Sequence, residues 1–311
     1  MKKIFFVSVI ILFVQAALTA QMKKHVIPAL GFRMLQTDEK DFVLSPSAGL
    51  HYICVEDMED PTSDGVVLGV GYTLNHYMQP VGPDHVQYTH GINLLGSYTA
   101  GKNSFMGMAE TDAEIPFSSF QAVNGGVMYT RQLVKTDHVS FALGGGFFVG
   151  DLGLKIQEVN IYCLPLPVFS INFENDIIEA SASLVVLPSL SLTLFPKAMV
   201  RLKGECAIIG FKSVRDITFD CALVCYPFLR TKAKDMVYFS AGVANVVSST
   251  VLCDRIKYGF QHYSVYGELS ATFVSLRCGY NFDGTKRIND EAVSPLYKGI
   301  FASINLMYIF H

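Results

Sequence analysis

Arg201, Lys203 and Glu205 stand at alternate positions, and Val200, Leu202, Cys206 and Ile208 take the opposite parity. On an extended chain, residues two apart share a face. Three charges on one face cannot line a dry core without a heavy desolvation cost. They suit a wall with water on one side and lipid on the other. The same parity puts Asp220 opposite Phe219 and Cys221, Glu268 opposite Leu269, and Arg277 opposite Leu276 and Cys278. Arg201, Lys203, Glu205, Asp220, Glu268 and Arg277 are therefore candidate lumen-facing residues. In a hydrated pore, rings of such charges set which ions and solutes pass. In a narrow barrel they would instead pair into a plug, and both alternatives stay open.

Other chemistry is weakly signalled. The sequence has no P-loop, dinucleotide fingerprint, HExxH pair or GxSxG elbow. Serine, histidine and aspartate are present, yet no local arrangement singles out a nucleophile and base. The seven cysteines, at 54, 163, 206, 221, 225, 253 and 278, follow no zinc spacing. Cys221 and Cys225 lie on one strand face, about 13 Å apart at strand rise, too far to bridge. Cys54, Cys206, Cys221, Cys225 and Cys278 are read as small hydrophobes. The eight histidines are scattered. No catalytic, cofactor-binding or metal site is expected, and the chain is read as no enzyme. Gly144-Gly145-Gly146, inside a strand-like tract, is read as close packing in a wall.

The elements that would hold these charges are strands. Leu68, Val70, Tyr72 and Leu74 alternate with Gly69, Gly71, Thr73 and Asn75. Val139, Phe141, Leu143 and Phe147 alternate with Ser140, Ala142, Gly144 and Gly146. The charge-free run Ala180–Pro196 holds five hydroxyl residues and two prolines, a poor spanning helix, but Leu190, Leu192 and Leu194 alternate with Ser189, Ser191 and Thr193. The apolar parity flips between Phe273 and Ser275, which implies a bulge or turn. Turn-forming clusters fall at Glu56–Gly65, Gln79–Asp84, Thr99–Asn103, Lys135–Asp137, Arg230–Asp235 and Asp283–Pro295. The stretch Gly107–Phe120 reads as a long loop, and Arg255–Tyr263 is ambiguous. The fold class is all-β, a transmembrane antiparallel β-barrel of about 12–14 strands. With no tryptophan, an interfacial girdle would fall to tyrosines such as Tyr226, Tyr280, Tyr297 and Tyr308.

The ends of the chain supply its address. Lys2 and Lys3 precede an apolar run, Ile4–Leu18, and small residues precede Gln21. This reads as a secretory signal peptide at 1–20 and a single barrel domain at 21–311. Without the signal, 22 basic and 27 acidic residues remain, a net charge of −5. That balance gives no electrostatic case for nucleic acid. Mean hydropathy is +0.34, high for a soluble protein.

The last strand, with Ile300, Ala302, Ile304, Leu306, Tyr308 and Phe310 on one parity, resembles the closing strand of bacterial outer-membrane β-barrel proteins. The resemblance spans the whole precursor. It implies that Leu306, Tyr308 and Phe310 are an insertion signal read by the barrel-insertion machinery. His311 after the aromatic and Asn305 in place of a frequent glycine depart from the pattern. The tract from Leu164-Pro165-Leu166-Pro167 through Pro196 resembles uncharacterised spirochaete-type barrels. The expected location is the bacterial cell outer membrane, with the lipid bilayer as partner and no cofactor. The expected function is passive or selective passage of small solutes. Alternatives are a plugged structural or adhesive surface barrel and a fatty-acid or lipid transporter, although the amino-terminal plug motif of the latter is not evident.

Overall fold

A chain that is apolar on every second residue can bury one face only by forming a sheet, and a sheet in lipid must close to leave no unpaired edge. The computed structural model describes residues 23–38, 41–56, 64–81, 85–119, 122–150, 155–156, 159–184, 188–208, 217–228, 237–252, 256–289, 291–295 and 298–308. The segment read as a signal peptide, Tyr297 and Phe310 lie outside the described residues.

In chain order the strands are β1 (Lys23–Asp38), β2 (Asp41–Val55), β3 (Gly65–Val81), β4 (Val86–Ala100), β5 (Asn103–Ala113), β6 (Asn124–Lys135) and β7 (Val139–Val149). Then come β8 (Lys155–Ile156), β9 (Val159–Asn160), β10 (Cys163–Glu174), β11 (Ile178–Leu184), β12 (Pro188–Leu194) and β13 (Val200–Ile208). The chain continues as β14 (Ile217–Cys225), β15 (Val237–Val251), β16 (Lys257–Ala271), β17 (Val274–Ile288), β18 (Glu291–Pro295) and β19 (Gly299–Met307). β8 and β9 form a small hairpin of their own, and β18 pairs only with the end of β17. The remaining strands follow one another antiparallel around a wall of sixteen. β19 pairs with β1 from Phe301↔Leu35 to Met307↔Ala29, which closes the ring.

The expected count of about 12–14 strands is thus corrected to sixteen. The residues read as the loop 107–120 in fact continue β5 to Ala113, and the tract 180–196, read as strands from the alternation at 189–194, holds most of β11 and all of β12 as two separate strands. Glycine-rich β6 gives little alternation to read. The cluster Asp283–Pro295, expected as a turn, is strand: β17 runs to Ile288 and β18 folds back on it. The ambiguous stretch from 255 belongs to β16 from Lys257 onward. The parity flip near Phe273 is the two-residue turn Thr272-Phe273 between β16 and β17.

One outer row shows how the wall meets its surroundings. Phe239, Leu269, Leu276, Ile304 and Phe32 are ladder neighbours in sequence and are 38–50% exposed. A continuous band of large exposed side chains on a folded chain calls for an apolar solvent. Tyr280 and Tyr308 are exposed as well, whereas Tyr226, expected in the girdle, is 5% exposed and packs with Val224 and Tyr266. It sits beyond the end of β14, where the chain turns back under Arg201. Cys221 and Cys278 are exposed, Cys206 and Cys225 half-buried and Cys54 buried, and none of these five is joined in a disulfide.

The glycine run packs as expected. A Cβ at Gly144 would collide with the Tyr129 carbonyl oxygen, and one at Gly146 would come within 2.6 Å of the Val127 carbonyl. Val168 of β10 faces Gly144 in the ladder and is 2% exposed.

Tight turns such as Gly101-Lys102 and Thr272-Phe273 close one end of the barrel, the turn end. Gly101 takes a φ of 58°, which glycine adopts at little cost. Also at the turn end, Lys197 pairs with Asp176 at 2.5 Å. That hydrogen bond holds the Asp176 carboxyl below its ordinary range and the Lys197 ammonium above its own. The long hairpin β15–β16 rises at the loop end. Beyond Asn245 it has no β14 partner, and it leans across the barrel. Val251 pairs in parallel with Ala113 of β5, half the circumference away, and the Glu114 amide donates to the Val251 carbonyl at 2.9 Å. Leu252 and Phe260 pack on Val43, Tyr77, Val81 and Val86 of β2–β4. An apolar strap therefore narrows the loop end.

Candidate functional site

The six charges read from parity lie on one connected wall, β13 to β17. The Arg201 guanidinium lies 3.9 Å from the Tyr226 ring centre, and Lys203 Nζ lies 5.8 Å from the same ring. Tyr226 meets Tyr238 at 5.7 Å between ring centres. The Tyr238 hydroxyl donates to Glu268 Oε1 at 2.9 Å. Glu268 faces Arg277 across the β16–β17 ladder. Arg277 stacks 3.5 Å from the Tyr266 ring centre and bonds Asp220 Oδ2 at 2.8 Å. Tyr266 donates its hydroxyl to Asp220 Oδ1, and Glu205 faces Asp220 across β13–β14. Gly242 and Gly279, the ladder partners of Tyr266, leave room for its ring and for that of Phe301.

The same row continues around the barrel through residues that parity reading did not single out. Arg277 faces Ser303, Ser303 faces Arg33, and Arg33 faces Ser45. Ser45 Oγ donates to Asn75 Oδ1 at 2.8 Å. Asn75 Nδ2 donates to Thr89 Oγ1 at 3.3 Å and to Asp112 Oδ2 at 3.2 Å, and the Thr89 hydroxyl donates to Asp112 at 3.2 Å. Glu110, two residues before Asp112 on β5, faces Asn93 and Asn124. The result is a belt with carboxylates at both ends, Glu205 and Asp220 at one and Asp112 and Glu110 at the other, and two arginines, Arg277 and Arg33, between them.

Two sizeable cavities among the described residues lie against this belt. One of about 540 Å³ is lined by Glu110, Asp112, Asn75 and Lys257, and one of about 690 Å³ by Glu205, Asp220, Arg277 and His262. Arg33 and Ser303 line both. The smaller is walled mainly by hydroxyls, amides and charges, while Leu35, Leu190, Phe219, Val247 and Phe301 share the wall of the larger with its charges. Cavities of this size hold water and small molecules. Among the described residues, no group of three histidine, cysteine, aspartate or glutamate side chains is placed to hold a metal ion.

Arg33 had a usable signal, standing between Phe32 and Met34, whereas Glu110 and Asp112 share their parity with Met108 and face away from Ala109 and Thr111, which gives little contrast to read. The tyrosines that join the charges had none, because an aromatic on a strand looks alike on either face. The last strand places Leu306 on the outer side between Leu30 and Val274, and Tyr308 lies 5.7 Å from Phe273 between ring centres.

No family model matches the chain, and no curated protein does. Among solved structures it is similar to Acinetobacter baumannii OccAB3, with 9% identity and a TM-score of 0.41 over 93% of this chain and 100% of that one. It is likewise similar to a mutant porin of Rh. blastica, with 9% identity and a TM-score of 0.42 over 93% and 100%. Pseudomonas aeruginosa OpdK with vanillate gives 8% identity and a TM-score of 0.39 over 93% and 99%. The narrower likeness to spirochaete barrels finds no support among them. At these values the similarity carries no weight for function, and the sixteen-strand closure stands on this chain's own ladders.

Proposed function

We propose that this protein is an outer-membrane β-barrel channel for small polar solutes, reached after export directed by residues 1–20. The polar belt inside an apolar-faced closed wall carries that reading. Sixteen strands enclose more space than side chains can fill, which leaves an aqueous passage. The outer band suits acyl chains, and a hydrated lumen keeps the charges of the inner belt solvated. Leu306, Tyr308 and Phe310 are proposed as the signal for the insertion machinery.

The strap formed by β15–β16 favours a second reading, a barrel closed at the loop end that serves as a surface structure. A lipid carrier is less well served, since a row of arginines and carboxylates would desolvate poorly around an acyl chain.

Planar-bilayer recording of the purified, detergent-folded protein separates these readings. Stepwise channel openings are the expected outcome. A folded protein that inserts and stays silent favours the closed surface barrel. Recovery of the processed chain in the soluble fraction of broken cells would sink both.

A further inference from the structure

We propose that the larger cavity is a recognition site for small zwitterions, with Glu205 taking the ammonium and Arg33 the carboxylate of a peptide- or amino-acid-like solute. This inference rests on the channel reading and names what the channel prefers.

The charges of the belt differ in how far they are already satisfied. Asp220 is held by Arg277 and Tyr266, and Asp112 by Thr89 and Asn75. Glu268 accepts from Tyr238. Glu205 and Arg33, both exposed to the lumen, make no hydrogen bond or ion pair among the described residues. They line the same cavity, of about 690 Å³, from different walls, β13 and β1. Two opposite charges on one cavity, neither of them hydrogen-bonded to a neighbouring side chain among the described residues, fit a molecule that carries both signs. An anion alone would leave Glu205 repelling it, and a cation alone would be repelled by Arg33.

A second observation points to a ligand at the same place. His262 lines this cavity, is 6% exposed, and its Nδ1 has no hydrogen-bond partner among the described residues. An unpartnered imidazole nitrogen at a buried polar site is costly unless water or a solute meets it. A neutral imidazole can accept from an ammonium or donate to a carboxylate, so it serves either end of a zwitterion. Ser191 and Ser303, the ladder partners of Glu205 and Arg33, add hydroxyls beside each charge.

The test uses glycylglycine as probe, with three derivatives: N-acetylated, C-amidated, and capped at both ends. Uptake of each into proteoliposomes is measured for the full-length mature protein and for Glu205→Gln and Arg33→Gln. The expected result is that glycylglycine enters faster than the doubly capped form. The ratio of the two should fall about tenfold in each variant, the scale of one hydrogen bond to a charged group. Acetylation, which removes the ammonium, should erase the difference made by Glu205→Gln. Amidation should erase that made by Arg33→Gln. An effect confined to one variant would mean recognition of a single charge and overturn the proposal, as would equal entry of capped and uncapped peptides. If no probe enters a folded barrel, the channel reading itself falls, and this one with it. Both side chains are exposed to the lumen, so the variants are expected to fold, and migration of unboiled protein on gels checks that they have.

Discussion

Glu205 and Asp220 face each other across the β13–β14 ladder, a like-charge pair that a sheet tolerates poorly without a counter-charge. Arg277 supplies it from three strands away, at 2.8 Å from Asp220. Arg277→Gln should therefore leave two adjacent carboxylates uncompensated and lower stability by about 1–2 kcal/mol. The temperature at which the folded gel band converts to the unfolded one would fall, and adding Asp220→Asn should restore most of the loss. An unchanged midpoint in the single variant would show that solvent in the lumen already screens the pair. The six charges were legible in the sequence as candidates for the inner face, because each stands between apolar or glycine neighbours on an extended tract. What they bond to was not. Arg201 sits over Tyr226, and Glu268 accepts from Tyr238, contacts set by the register between strands rather than by spacing along one.

At the scale of elements, the wall is uneven. β1 to β4 and β15 to β17 run 15–17 residues, while β11 and β12 run seven. A spanning strand needs about 9–11 residues, so the long strands overshoot, and one overshooting hairpin folds inward as the strap. Leu252, 2% exposed among Tyr77, Val81, Val86 and Phe260, anchors it. Replacing Leu252 by Asp would bury an unpaired charge at a cost of about 3 kcal/mol or more. The strap should then leave the mouth, with a larger single-channel conductance and unchanged heat-modifiability of the wall. If conductance stays at the parent value while the barrel remains folded, the strap does not limit flow. Alternation revealed the strands that have two distinct faces. It failed for β6, where Gly125 and Gly126 carry no side chain, and it was plain in β12, where leucines alternate with Ser189, Ser191 and Thr193, but faint in β11, where the alternating residues are alanine and serine. The inward lean of β15–β16 could not be read at all. Its cause lies in Val43, Tyr77 and Val86, more than 150 residues earlier in the chain, which give Leu252 and Phe260 an apolar place to rest.

For the whole molecule, one pairing turns a curved sheet into a barrel. β19 joins β17 on one side and β1 on the other, and both of those strands run from the turn end to the loop end. Ending the chain before Gly299 removes β19 and leaves β1 and β17 facing each other in the same direction. They could close only as a parallel pair, which has a different hydrogen-bond spacing from every other seam of this wall. The alternative is two open edges in lipid, each unpaired backbone group costing several kcal/mol. The truncated chain is therefore expected to remain extractable by urea and to show no band that shifts on boiling. Restoring Gly299–Met307 alone, without 308–311, should restore closure of the purified chain in detergent, since the ladder ends at Met307↔Ala29. In cells, however, that form should assemble poorly, because Tyr308 and Phe310 would be missing from the proposed insertion signal. A shortened chain that assembles in cells as well as the parent would separate closure from recognition in the opposite sense, and would move the signal off the last residues.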